Sequence, residues 1–210
     1  MTDLVQGYTA NRNRTLNHLY SNNISNTAFL AGDSHANWSD LVWLDKIPYD
    51  QVTGAGAIGV EFAGTAVSSS GYGAGRTITG SSDRSAALVR DNKELQWTEG
   101  YYRGYYELYV SPSELTARYY GKSAPAFISI MPFMLTFAGS PSVATRNPFE
   151  VSLANFTVKA GANHLQRNVA NASVESGALQ RGKTVPTNWT LNTVAGTWNM
   201  TGFNQMFIQY

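Results

Sequence analysis

Near the start of this 210-residue chain, the run Asn26-Thr27-Ala28-Phe29-Leu30-Ala31 is short, apolar and closed by Gly32. It is too short for a stable helix and reads as a buried strand. The segment before it is not another strand. Tyr8 to Asn22 is polar and Arg-bearing, with Leu16, Leu19 and Tyr20 at spacings of three and four, the pattern of a short amphipathic helix. A core strand of a parallel or mixed sheet needs neighbours on both sides, and a βαβ unit would put one before it. The sequence offers none, as though the first half of a sheet were missing.

The same patterning marks further elements. Ser39 to Ile47 fits a buried strand or a helical turn, and periodicity leaves both open. Ile58, Val60, Phe62, Thr65 and Val67 mark a strand that runs into a Gly- and Ser-rich loop from Ser68 to Gly80. Ser82 to Asn92 predicts a helix capped by Ser82. Tyr101 to Val110 and Glu114 to Tyr120, joined by Ser111-Pro112-Ser113, predict a β-hairpin. Phe127 to Phe137 and Phe149 to Val158 read as two more strands, and the last fifty or so residues as short strands between polar loops. The expected class is α/β (α+β), β-rich, with a first unit over residues 1–145 and an all-β extension over 146–210.

Composition excludes several functions. With 15 Lys+Arg against 14 Asp+Glu the net charge is +1, so no nucleic acid partner is held by bulk electrostatics. Charged residues are only 14% of the chain, against about a quarter in an ordinary soluble domain. Cysteine is absent, which removes thiolate nucleophiles, disulfides and zinc ribbons, and leaves any metal to O and N ligands. The longest apolar stretch, Ala124 to Ala138, is broken by Pro125 and Pro132 and falls short of the roughly 20 residues of a bilayer span. Residues 1–5 lack the basic and apolar regions of a signal peptide. Triplets of the form N-x-S/T nevertheless occur at Asn13, Asn23, Asn37, Asn155, Asn171, Asn188 and Asn199. That density suits a secreted protein, and equally arises by chance in so Asn-, Ser- and Thr-rich a chain.

Candidate chemistry concentrates at one place. Gly32-Asp33-Ser34-His35 puts a carboxylate and an imidazole two residues apart, directly after the apolar strand. Both side chains can turn toward the mouth of a sheet and hold cations there. The plainer alternative is a strand-terminating turn with Asp33 capping the next segment. His18, on the first helix, and His164, in a polar stretch, have no acid or histidine at ligand spacing and read as surface residues. Gly54-Ala55-Gly56-Ala57-Ile58-Gly59 matches G-x-G-x-x-G but neither follows a strand nor opens a helix, so it reads as a turn. Ser69 with His35 and Asp33 makes no hydrolase triad, since the G-x-S-x-G elbow is absent. The run Tyr101 to Tyr109 suits sheet packing more than a stacking platform.

Several pieces in order carry a family likeness: Asp3-Leu4-Val5-Gln6-Gly7-Tyr8, Arg14-Thr15-Leu16, Phe29 to His35, Val60-Glu61-Phe62 with Ser68-Ser69-Ser70, and Arg103-Gly104-Tyr105. From Asp3 to Gly121 the chain resembles the C-terminal half of PhoD-like alkaline phosphatases, particularly the fungal type. The resemblance implies a partial αββα metallophosphatase sandwich, hydrolysis of phosphate esters, and bound iron and calcium. It further implies Asp33 and His35 as the last metal-binding motif, G-D-x-H, acting as ligands and not as proton carriers. Asp3 would be the acid of a D-x-W-x-G-Y motif, although Val5 stands where Trp is expected.

The family's opening metal motifs do not occur in this sequence. The expectation is therefore a truncated chain, extracellular in its intact relatives and inactive alone, with the missing N-terminal half as a partner. The rival expectation is a non-catalytic, secreted β-rich module that binds a glycan or a protein.

Overall fold

The computed structural model of the chain describes residues 8–42, 44, 47–67, 78–122, 150–167, 169, 177–181, 188–192 and 197–201. Helix α1 (Thr9–Ser21) buries Leu16 and leaves Tyr20 half exposed, so the apolar stripe is narrower than the spacing suggests. It ends because Asn23 takes a left-handed backbone, φ 51°. The Asn23 N–H then bonds the Tyr20 carbonyl at 3.1 Å and the Ile24 N–H that of Leu19 at 3.0 Å, which satisfies the last turn. Asn tolerates this conformation better than most residues with a side chain.

The first sheet has five strands in the order β1-β3-β2-β4-β8: β1 (Ala28–Ala31), β2 (Asn37–Val42), β3 (Gly59–Ala63), β4 (Leu95–Glu99) and β8 (Gly177–Leu179). For residues 39–42 the choice left open by periodicity resolves toward a strand. Strand β3 slots between β1 and β2, parallel to the first and antiparallel to the second. Since β4 is also antiparallel to β2, the C-terminal ends of β1, β3 and β4 gather at one end of the sheet. The strand expected to be buried at β1 is not: it is the edge of the sheet, its residues alternate exposed and half-buried, and Leu30 is 60% exposed. Only one neighbour, β3, covers it among the described residues.

Helix α2 (Ile78–Asp91) begins four residues before the expected cap, so Ser82 lies inside it. Ser81, Ser85 and Val89, four apart, are buried, and the helix lies over β4 and β8. The Gln180 side-chain amide donates to the Val89 carbonyl at 3.1 Å, tying the last turn of α2 to the end of β8.

The expected hairpin forms from β5 (Arg103–Val110) and β6 (Glu114–Lys122), and β7 (Glu150–Lys159) completes an antiparallel sheet of order β5-β6-β7. Strands β7 and β8 both lie beyond residue 145 and pair with β6 and β4. Strands β9 (Asn188–Asn192) and β10 (Thr197–Thr201) form a separate hairpin. The strand expected at 127–137 lies outside the described residues.

The core is sealed between the two sheets. Trp97 from β4 packs on Tyr119 and Phe156 from the second sheet, with ring centroids 5.0 and 5.5 Å away. Val60, Phe62, Leu153, Leu165 and Leu179 fill in around them. The Tyr-rich run thus serves mainly as packing: Tyr102 is buried, Tyr105 and Tyr106 half-buried, and Tyr109 exposed. Gly54 and Gly56 take left-handed backbones in a turn closed by the Gly54 N–H to Asp50 carbonyl bond, as expected of a turn and not of a nucleotide loop. No helix among the described residues is long and apolar enough to cross a membrane.

Candidate metal centre

Asp33 and His35 lie on the loop 32–36 that leaves β1, passes over the end of β3 and enters β2. Because β3 takes the position between β1 and β2, this loop must span a full strand. It sits at the end of the sheet where β1, β3 and β4 terminate, the usual place for ligands on sheets with parallel strands. Asp33 is solvent-exposed and His35 half-buried. Both have left-handed backbones, φ 65° and 56°, which Asp and His adopt more readily than most residues with a Cβ.

The loop is held from beneath. Ser34 accepts from the Trp38 indole N–H at 2.6 Å. The His35 carbonyl accepts from Arg103 Nη1 at 2.9 Å and from Thr65 Oγ1 at 3.3 Å. The Thr65 N–H donates to Asn37 Oδ1 at 3.1 Å, and Asn37 Nδ2 donates to Glu99 Oε2 at 3.3 Å. Glu99 also accepts from the backbone N–H groups of Tyr101, at 2.6 Å, and Tyr102, at 3.1 Å. Asn37, Glu99 and Arg103 are all 0% exposed. Such a buried polar network is tolerable only when its members bond one another, and it then rigidifies the segments it touches.

The structure places Asp33 and His35 on one loop at the end of the sheet. Asp3 lies outside the described residues. His18 is exposed on α1, and His164 is half-buried with Nδ1 3.0 Å from the Leu165 carbonyl oxygen. No group of three or more His, Cys, Asp or Glu side chains able to hold a metal occurs among the described residues. The exposed carboxylate and the imidazole, two residues apart on one loop, are donors of the right chemistry for part of a cation site. Sequence patterning misses Glu99 and Asn37 altogether; the N-x-S triplet is the only mark on Asn37. Asn13, Asn23 and Asn155 are exposed, whereas the Asn37 amide is sealed in the network.

This loop belongs to a chain that the PhoD-like phosphatase family model matches over residues 1–119, and the chain belongs to that family. Among particular relatives, alkaline phosphatase D of Bacillus subtilis (strain 168) is 30% identical over 132 residues. That alignment covers 63% of this chain and 19% of the relative, so the chain spans about a fifth of its length. A solved structure of PhoD superimposes with a TM-score of 0.51 at 24% identity, over 81% of this chain and 29% of the other. The likeness shows that the mixed α/β arrangement is part of the PhoD fold.

Proposed function

We propose that the chain supplies the last cation-binding loop of a PhoD-type alkaline phosphatase, a metal-dependent hydrolase of phosphate esters, with Asp33 and His35 as ligands. The observation that carries this reading is the pair of left-handed residues at one sheet mouth, fixed from below by buried Arg103, within the stretch the family model matches. By resemblance the cations are iron and calcium, with Asp3 a further ligand. An O and N donor set suits iron, and the carboxylate alone suits calcium. When bound, such cations supply the charge that binds a phosphate oxygen, activates water and steadies the leaving oxygen. The role of this chain's own residues is to present the donors: Asp33 stands in solvent, and the His35 backbone is held through its carbonyl by Arg103 and Thr65. Exposed triplets at Asn13, Asn23 and Asn155 are compatible with an extracellular enzyme.

Two ligands hold a cation weakly. We therefore propose that these residues alone do not turn over a phosphate ester and that further ligands come from another part of the family fold. The outer edge of β1, with Leu30 exposed, is where further strands would add. Purified protein is to be assayed on p-nitrophenyl phosphate with iron and calcium, and its metal content compared with Asp33→Ala and His35→Ala. The expected result is no turnover and less metal in both variants. Equal metal content overturns the ligand assignment. Turnover abolished by both substitutions overturns the incompleteness.

A further inference from the structure

We propose that Arg103, donating from the core to the His35 carbonyl, is a positioning residue that fixes the left-handed Asp33–His35 loop for cation binding. The proposal rests on the reading of Asp33 and His35 as ligands and assigns a role to a residue outside that pair.

A guanidinium is among the costliest groups to bury, and packing alone would be served better by an apolar side chain of similar volume. Arg103 is nevertheless 0% exposed. It directs its donors to backbone carbonyls: Nη1 to His35 at 2.9 Å, and Nη2 to Gly100 at 2.7 Å and Tyr101 at 3.2 Å. The last two belong to the segment between β4 and β5, where the chain passes from the first sheet to the second. One planar fork thus ties the candidate ligand loop to the crossover between sheets, a geometry that a single ammonium does not reproduce.

The carbonyl it holds is the informative one. His35 has φ 56°, and Asp33, two residues earlier, has φ 65°. The donors at the His35 carbonyl tie this stretch of backbone to the core, and losing them would let the loop shift against the sheet. Thr65 Oγ1 donates to the same carbonyl, and Thr65 is itself held through Asn37 to Glu99. The anchoring acts on the backbone of His35, through its carbonyl. Partners behind a metal ligand are commonly worth 10- to 100-fold in metal affinity.

The test uses Mn²⁺ alone as the probe, on the chain with His35 labelled for NMR. Wild type, Arg103→Lys, Arg103→Met and His35→Ala are compared by Mn²⁺ broadening of the His35 ring protons, or by Mn²⁺ affinity where the ring is absent. The ¹³C resonance of the His35 carbonyl reports the bond itself. In Arg103→Met that resonance is expected to move and Mn²⁺ affinity to fall about tenfold or more, with the rest of the spectrum native. Arg103→Lys, which keeps charge and one donor, is expected to recover part of the loss. If Arg103→Met does not fold, Arg103→Lys decides: affinity equal to wild type overturns the proposal, and an intermediate loss with a shifted carbonyl supports it. A wild type whose His35 ring is untouched by Mn²⁺ overturns the ligand reading and this proposal together. Wild-type binding matched by both Arg103 variants overturns the positioning role alone.

Discussion

The hydroxyl of Tyr119, on β6, donates to the carbonyl of Trp38, on β2, at 2.8 Å. It is a direct polar tie between the two sheets, made by a side chain with no exposed surface. Removing it in Tyr119→Phe leaves the ring packed on Trp97 and Phe156 and takes the donor from one carbonyl. Stability is expected to fall by about 1 kcal/mol, read as a lower denaturation midpoint with an unchanged slope.

Alkaline pH acts on the same residue. Burial holds the Tyr119 phenol well above its ordinary value of 10.0, with smaller contributions from nearby Tyr106 and Glu61. Burial also raises Tyr101, Tyr106 and Tyr120, the first helped by the Glu99 carboxylate and the last by Glu107. In the unfolded chain these phenols ionise near their ordinary value, while the folded chain keeps its protons. The unfolded state then binds fewer protons, so stability is full below pH of about 10 and declines as pH rises beyond it. Melting temperatures measured across that range are expected to drop, less steeply in Tyr119→Phe than in wild type. An equal slope in the two proteins would assign the decline to the other phenols.

Gly104 faces Gly121 across the β5–β6 pair. A Cβ on Gly104 would stand 1.9 Å from the Tyr120 carbonyl oxygen, and backbone cannot yield as a side-chain tip can. Gly104→Ala is expected to cost about 3 kcal/mol or more, or to prevent folding. Gly161→Ala, where nothing lies within 4 Å but φ is 85°, is expected to lose only about 1 kcal/mol. Thermal unfolding of the two variants side by side checks the difference.

Glu99 accepts from two backbone N–H groups and one side-chain amide at a site closed to water. Glu99→Gln keeps the shape but replaces one acceptor oxygen with a donor that faces other donors. A loss of about 3 kcal/mol is expected, with faster amide exchange at Tyr101 and Tyr102. Retained protection at both amides would show that the network tolerates a neutral acceptor.

Local patterning in the sequence makes the β5–β6 hairpin legible, because Ser111-Pro112-Ser113 separates two strand-like runs and needs no distant information. It also marks Asp33 and His35, since a carboxylate and an imidazole flank Ser34 right after an apolar run. It misplaces β1: four apolar residues look buried in any sheet, and only the strand order reveals that theirs is the edge. It also sets the start of α2 four residues late, because Ser82 resembles a cap, whereas the buried stripe Ser81, Ser85 and Val89 sets the helix phase. The support of the loop is invisible for a different reason. Arg103 and His35 are 68 positions apart, and Asn37 and Glu99 are 62 apart. No periodicity within one segment encodes a contact that exists only after two sheets have met.

The sealed amide of Asn37 makes modification of its acceptor triplet incompatible with the folded loop. Both atoms of that amide are engaged, Oδ1 by Thr65 and Nδ2 by Glu99, yet Asn37-Trp38-Ser39 is an acceptor triplet for a glycosylating enzyme. A sugar attached to Nδ2 would replace one of its two hydrogens and would have no room at a side chain that is 0% exposed. Were the chain exposed to a glycosylating enzyme, the order of events would matter here: a closed loop shields the Asn37 amide, and a sugar added earlier would keep the loop from closing.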